Sequence, residues 1–307
     1  MKSKTSNYLG RGIHKKRFYD SLTKGNLKQM LIAIKNDNDL DIQIRNNYIN
    51  IYYNGSNIGK IKGENSIEFD KYYFYIEKKE KLQKDIAKNK DIKDKLEKKK
   101  LSHIKKFKNR NYKDYFADSK KIIDKWLEKN SKPERKEQHK ISRNNQSSKT
   151  DYTIIDLEYQ VSRKSDFACT YIPKGKEKPK NPRFDIIAIN KKGEVCVIEL
   201  KKGLGALEGS SGLREHWNCF KESIKQNPEP FIDEMKYLLE QKQALGLIDK
   251  QLIIKNSEPK FIFAYSYDDK TAIKNQDDIF NAKVKKINSI IEVIKLTKEK
   301  SELIDND

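Results

Sequence analysis

Residues 183–203, RFDIIAINKKGEVCVIELKKG, decide the fold. Two runs rich in Ile and Val flank Asn190-Lys191-Lys192-Gly193, a turn composition that predicts a β-hairpin. With the turn centred on Lys192, Ile189 falls opposite Val195, Ile187 opposite Val197, and Asp185 opposite Glu199. Opposed residues in a ladder share a face, as do alternate residues along one strand. The hairpin is therefore predicted to gather Asp185, Glu199 and Lys201 on one face, and to turn Ile186, Ile198 and Leu200 toward packing helices on the other.

Two carboxylates placed opposite each other destabilise a sheet unless a cation lies between them. Mg²⁺ (or Mn²⁺) answers that need, because a hard ion takes one or two carboxylates and completes its shell with waters and phosphate oxygens. Asp185, Glu199 and the backbone carbonyl of Leu200 suit such an ion, while the Lys201 ammonium is placed to orient a water or offset developing negative charge. Lys202 and the backbone N–H groups beyond the strand are placed to hold a phosphate.

Outward from the hairpin, the upstream run TIIDLEYQVS (153–162) is predicted to be a neighbouring strand, which makes Glu158 a further candidate ligand, with Asp156 on its face. Pro133 opens a predicted helix, PERKEQHKISRNN. Downstream, Ser210-Ser211-Gly212 leads into the predicted helix GLREHWNCFKESIK, whose start favours a phosphate and offers Arg214 and His216 as nucleic-acid contacts. A lone His is more often a packing residue than a catalytic one. A second helix, FIDEMKYLLEQKQALGL, precedes a buried strand, KFIFAYSYDD, and a further helix and the strand IIEVIKL end the pattern. Alternating strands and helices predict an α/β architecture, a mixed central sheet flanked by helices, over residues 126–307.

Residues 1–76 are predicted to form a small α+β module: two short helices broken at Gly25-Asn26, then a hairpin in which Ile42, Ile44, Ile49 and Ile51 recur at every second position. The run IEFDKYYFYIEKK offers one more strand, and its tyrosines either cover the sheet or stack on bases. Residues 77–114 are dominated by Lys, Glu and Asp, DYFADSKKIIDKWLEKN then carries apolar residues at helical spacing, and 77–125 reads as a charged helical linker, whose lysines either ride along a duplex backbone or form a solvated face.

The whole chain of 307 residues has 66 Lys and Arg against 45 Asp and Glu, a formal charge of +21. That excess selects a polyanion, nucleic acid first, as partner. The preference for Lys over Arg, with abundant Asn and Ile, equally fits an AT-rich coding bias, and both readings stand. No run approaches the roughly 18 apolar residues of a membrane span, so a cytoplasmic location is expected. Cys169, Cys196 and Cys219 are widely spaced and odd in number, which predicts neither a disulfide framework nor a zinc site.

Asp185 followed by Glu199-Leu200-Lys201 resembles the D…(D/E)xK signature of the PD-(D/E)xK phosphodiesterase superfamily, which includes restriction endonucleases and Holliday junction resolvases. The proline that usually precedes the aspartate is absent: Phe184 stands there and Pro182 lies earlier. The resemblance implies a restriction-endonuclease-like fold and a metal-dependent nuclease acting on DNA, less readily on RNA, with Asp185 and Glu199 as metal ligands and Lys201 assisting the attacking water. It also implies a glutamate on the helix before the sheet, Glu134 or Glu137, with Glu134 and Gln138 the preferred pair one turn apart. It admits a homodimer. The alternatives are a protein that keeps the fold and binds nucleic acid without cutting, and a subunit whose basic surface binds another protein.

Overall fold

The structure is a computed structural model and describes residues 10–89, 91–147, 150–162, 168–172, 177–179, 182–202, 212–249, 251–255, 258–266, 276–287, 291–296 and 303. The chain is mixed α/β with two sheets, and it divides into two compact units: Gly12–Arg143, and Met1–Arg11 together with Asn144–Asp307. Among the described residues no helix is long and apolar enough to cross a membrane.

In the N-terminal unit, helices α1 (Lys16–Thr23) and α2 (Lys28–Lys35) precede a four-stranded antiparallel meander, β1 (Leu40–Arg45), β2 (Tyr48–Tyr53), β3 (Ser56–Gly63) and β4 (Ser66–Glu68). Ile42 pairs with Ile51 and Ile44 with Ile49, the register that the alternation predicted. Asn54 and Gly55 both take left-handed backbone (φ +45° and +75°), as a tight two-residue hairpin turn requires. The tyrosine run departs from the expected strand: after β4, Lys71–Phe74 wind into a 3₁₀ turn. The cause is local, since the Asp70 carboxylate accepts the Tyr72 N–H at 3.0 Å and so competes with a ladder for that donor. Tyr73 is buried there, edge-on to Phe69 and Trp126, a covering role.

The charged segment 77–125 falls inside this same compact unit. Its helices are α3 (Lys79–Lys88), α4 (Asp91–Lys108) and α5 (Tyr112–Leu127), followed by α6 (Pro133–Asn144), which starts at the expected proline. Sparse as its apolar residues are, α4 places Leu96, His103, Ile104 and Phe107 at helical spacing and buries all four. His103 Nε2 lies 2.9 Å from Ser119 Oγ, and its ring stacks on Tyr115 at 4.6 Å. Burial holds its pKa down at about 4. An unfolded chain protonates this imidazole near pH 6.5, whereas the folded one resists until about pH 4, so the stability present above pH 6.5 is lost as pH falls through that window. At 1.36 kcal/mol per pKa unit, acidification is expected to cost the N-terminal unit about 3 kcal/mol, and His103→Gln is expected to flatten the dependence. Urea midpoints at pH 7 and pH 4.5 check this, and equal wild-type and variant slopes would refute it.

The C-terminal unit is built on a five-stranded sheet, β5 (Tyr152–Gln160), β6 (Arg183–Asn190), β7 (Val195–Lys202), β8 (Lys260–Ser266) and β9 (Glu292–Lys295), in that spatial order. The first three strands are antiparallel, while β8 and β9 run parallel to β7. A parallel neighbour needs a crossover. Here it carries α7 (Leu213–Phe220), which continues as a π-helical turn over Lys221–Lys225, and α8 (Pro228–Ala244); α9 (Gln276–Lys285) lies between β8 and β9. Ile186, Ile187, Val195, Val197, Ile198, Ile262 and Phe263 are fully buried, as expected of central strands covered on both faces.

The β6–β7 turn forms as predicted. Ile189 faces Val195 and Ile187 faces Val197. Asn190 Oδ1 accepts the N–H groups of Lys192 and Glu194 at 3.0 and 2.9 Å, and Gly193 supplies the positive φ (+83°) that closes the turn.

Candidate active site

At the end of the hairpin remote from its turn, the β6–β7 ladder stops at Ile186–Ile198, so Asp185 and Glu199 do not form the opposed ladder pair that simple register counting gives. Instead Asp185 Oδ2 accepts the backbone N–H of Leu200 at 3.0 Å. A side-chain carboxylate has taken the acceptor's role where the main-chain pairing ends. Asp185 is half-buried, which leaves one edge of this group open to solvent.

Glu199 sits deeper. Residues Cys196 to Lys202 pair with β8, which sets Glu199 beside Phe263 and Lys201 beside Tyr265, and the Glu199 side chain is 0% exposed. Burying a carboxylate is costly unless positive or hydrogen-bonding groups answer it. Two groups converge on Glu199 Oε2: His216 Nδ1 from α7 at 3.0 Å, and Lys201 Nζ at 3.9 Å. Lys201 is itself only 6% exposed, so its ammonium is held in the same low-dielectric pocket rather than in bulk water. The hairpin thus brings Asp185, Glu199 and Lys201 to one end of the sheet, and α7 adds His216.

The sequence predicts His216 as a nucleic-acid contact; its place beside Glu199 depends on the packing of α7, which no local pattern encodes. Arg214, its companion in that reading, is exposed. The Lys202 side chain and Ser210-Ser211 lie outside the described residues.

Strand β5 neighbours β6, as expected, with Asp156 opposite Ile187, Leu157 opposite Ile186 and Tyr159 opposite Phe184. Glu158 is therefore level with Asp185, but it takes a left-handed backbone (φ +49°), which is uncommon for a non-glycine residue within a strand. Its carboxylate lies 3.6 Å from Arg183 Nη1. Asp156, fully buried, is met by Arg11, whose Nε lies 3.0 Å from Asp156 Oδ2 and whose Nη2 donates to the Glu158 carbonyl at 3.2 Å. Glu134 and Gln138 lie on α6 in the N-terminal unit, outside the unit that carries Asp185, Glu199 and Lys201; Glu134 is exposed and Gln138 buried there.

Among the described residues no group of three or more His, Cys, Asp or Glu side chains gathers closely enough to hold a metal by itself. A zinc-like closed site is therefore not formed by these residues, but a hard ion needs less. Mg²⁺ takes one or two carboxylates and draws its other ligands from water and a phosphate. The donor set of Asp185 and Glu199 fits that chemistry. Comparison with protein-family models, with curated proteins and with solved structures returns no match for this chain.

Proposed function

We propose that the C-terminal unit is a metal-dependent nuclease of the PD-(D/E)xK type, with a restriction-endonuclease-like fold, hydrolysing phosphodiester bonds of DNA. The observation that carries this reading is the wholly buried Glu199 carboxylate at the sheet end, next to a nearly buried Lys201 and one residue from the Leu200 N–H that fixes Asp185. A protein gains little stability from burying such a group, so an ionic cluster at the open end of an otherwise apolar sheet is better accounted for by chemistry. The mixed sheet with crossover helices is the architecture that the D…ExK resemblance implies, which supports the finer fold assignment.

In this reading Asp185 and Glu199 hold a divalent ion, which would polarise the phosphodiester and make its bound water more acidic. The Leu200 N–H fixes one carboxylate oxygen of Asp185, so that the ligand does not have to be ordered when substrate arrives. Lys201 sets a positive charge beside the place where negative charge develops, and its burial makes that charge count for more than it would in water. His216 orients Glu199 through its Nδ1 contact, the kind of outer partner that metal-ligating carboxylates commonly have.

A second reading, a protein that binds nucleic acid without cutting, draws on one observation: two carboxylates from one hairpin, with Glu158 engaged by Arg183, make a sparse ligand set. Incubation with single-stranded, duplex and branched DNA, and with RNA, in Mg²⁺, Mn²⁺ or EDTA separates the two. Metal-dependent cutting is expected in the wild type, and Asp185→Ala and Lys201→Ala are each expected to lower it at least about 100-fold. Tight binding with no cutting, or cutting that ignores both substitutions, would transfer the conclusion to the second reading.

A further inference from the structure

The positive charge of this protein is not spread evenly. The unit Gly12–Arg143 holds 35 Lys and Arg against 19 Asp and Glu, which leaves 31 against 26 for the remainder of the chain out of totals of 66 and 45. A coding bias toward lysine would enrich both units alike. Most of the excess instead sits in the unit that lacks the Asp185–Glu199 cluster.

Within that unit α4 sorts its residues sharply. Leu96, His103, Ile104 and Phe107 face inward and are buried. Lys95, Lys98, Lys99, Lys105 and Lys108 are all exposed; at 100° per residue Lys98 and Lys105 fall opposite the buried stripe, Lys95 and Lys108 flank them, and Lys99 borders the stripe. The acidic residues of the helix do not neutralise this arc. Asp91 and Asp94 lie in its first turn, where they favour the helix dipole, and Glu97 is taken by Lys71 and Lys100 at 2.8 and 2.6 Å. Lys106 is likewise occupied, by Asp118. Among the described residues none of the five outward lysines has an ion-pair partner.

We infer that this outer face of α4 is a binding surface for the phosphate backbone of a nucleic-acid duplex. From Lys95 to Lys108 the helix rises about 20 Å, with lysines near both ends of that length. Duplex DNA rises ~3.4 Å per phosphate of each strand along its axis, so that length spans about six base-pair steps, within which a few phosphates face one side. Lysines suit this task because they act as point charges toward phosphate and carry no base-reading geometry. An anionic membrane is the poorer fit: a helix that lies in a bilayer surface needs an apolar face to insert, and the large exposed apolar side chain here is Leu101, 53% exposed, while Leu96, Ile104 and Phe107 are buried. An acidic protein surface is also disfavoured, since such interfaces centre on aromatic or Arg anchors that this face lacks. The inference stands independently of cleavage.

The test is equilibrium binding of the full chain, in EDTA, to a labelled 20-base-pair DNA duplex, the matching RNA duplex and vesicles of anionic lipid, across a salt series. Replacing Lys98, Lys99, Lys105 and Lys108 together by Gln is expected to lower duplex affinity about 100-fold or more at 0.1 M salt and to reduce the slope of log K against log salt by about 3 to 4. A variant with the same four positions changed to Arg is expected to bind as the wild type does, which guards against a misfolded Gln variant. A charge-matched control, Lys192, Lys255, Lys285 and Lys286 to Gln, is expected to change the slope by less than about 1. The two duplex arms decide whether DNA or RNA is the source of the phosphates. The inference is overturned if the wild type binds neither duplex, if the control loses as much as the α4 variant, or if the vesicles bind as tightly as the duplexes and with the same dependence on α4. Because no metal is present, neither outcome depends on whether Asp185 and Glu199 support cutting.

Discussion

Glu199→Gln is expected to lower the metal-dependent DNA cleavage proposed for this chain by at least about 10²–10³-fold while leaving a folded protein. Glutamine keeps the shape of the side chain and an oxygen able to stand where Glu199 Oε2 lies, 3.0 Å from His216 Nδ1, so the packing of α7 against the sheet has no steric reason to change. What the substitution removes is the negative charge. In a pocket where Glu199 is fully buried, that charge is the main attraction for a divalent ion, because Coulomb energies there are several-fold larger than at the surface. Its loss also removes a negative charge 3.9 Å from the Lys201 ammonium, so some loss of stability accompanies the change and activity is best compared well below the melting temperature. His216→Gln makes the contrast. That residue touches the carboxylate that would hold the proposed ion, and outer partners of this kind are worth about 10–100-fold. Single-turnover cleavage, with Mn²⁺ binding followed by calorimetry, should therefore rank Glu199 well above His216 in both readouts. The reverse order, or an unchanged Mn²⁺ affinity in Glu199→Gln, would mean that Glu199 only ties α7 to the sheet.

The hairpin was legible because every level of its sequence agrees. Alternating Ile and Val, an Asn-Lys-Lys-Gly turn and the resulting register all point to one structure, and Ile189–Val195 and Ile187–Val197 pair accordingly. What lay beyond reading was set by competition or by distance along the chain. Asp185 is drawn to the Leu200 N–H, a side-chain bond that register counting ignores. The tyrosines after β4 coil because Asp70 caps them. His216 reaches Glu199 only once α7 has packed, across 16 intervening residues of sequence. Lysine-rich α4 reads as a spacer from composition, yet four inward residues at helical spacing suffice to hold it in the N-terminal unit. Glu134 satisfies the upstream-glutamate pattern of the resemblance, but its helix belongs to that same unit.

Arg11 shows the same limit most clearly, and its removal is expected to cost the C-terminal unit about 3–5 kcal/mol. Asp156 is 0% exposed, and the Arg11 guanidinium, with only 12% of the side chain exposed, meets it at 3.0 Å across 145 residues of sequence. The same guanidinium donates to the Glu158 carbonyl and lies 5.2 Å over the Tyr159 ring, while the Arg11 main-chain N–H donates to Glu234 Oε1 at 2.5 Å and the Tyr159 hydroxyl donates to Glu234 Oε2 at 2.9 Å. Burial pushes the Glu234 carboxyl up, against the pull of these donors, so this corner is held together by partners that must all be present. Arg11→Ala removes the cation that meets the fully buried Asp156 at 3.0 Å. Arg11→Lys is expected to recover part of the loss, since an ammonium can meet Asp156 but cannot fork to the Glu158 carbonyl as well. Arg11→Met combined with Asp156→Asn is expected to cost much less than Arg11→Ala, because neither charge is then stranded. Urea unfolding of the C-terminal transition, run as a double-mutant cycle, measures that coupling. A change below about 1 kcal/mol in Arg11→Ala would show that solvent already relieves Asp156. A full effect would carry a consequence for the candidate site, because the left-handed backbone at Glu158, a conformation costing about 1–3 kcal/mol, is held by the carbonyl that Arg11 grips, level with Asp185 on the neighbouring strand. Releasing it should let β5 relax toward regular pairing and weaken cleavage without touching Glu199 or Lys201.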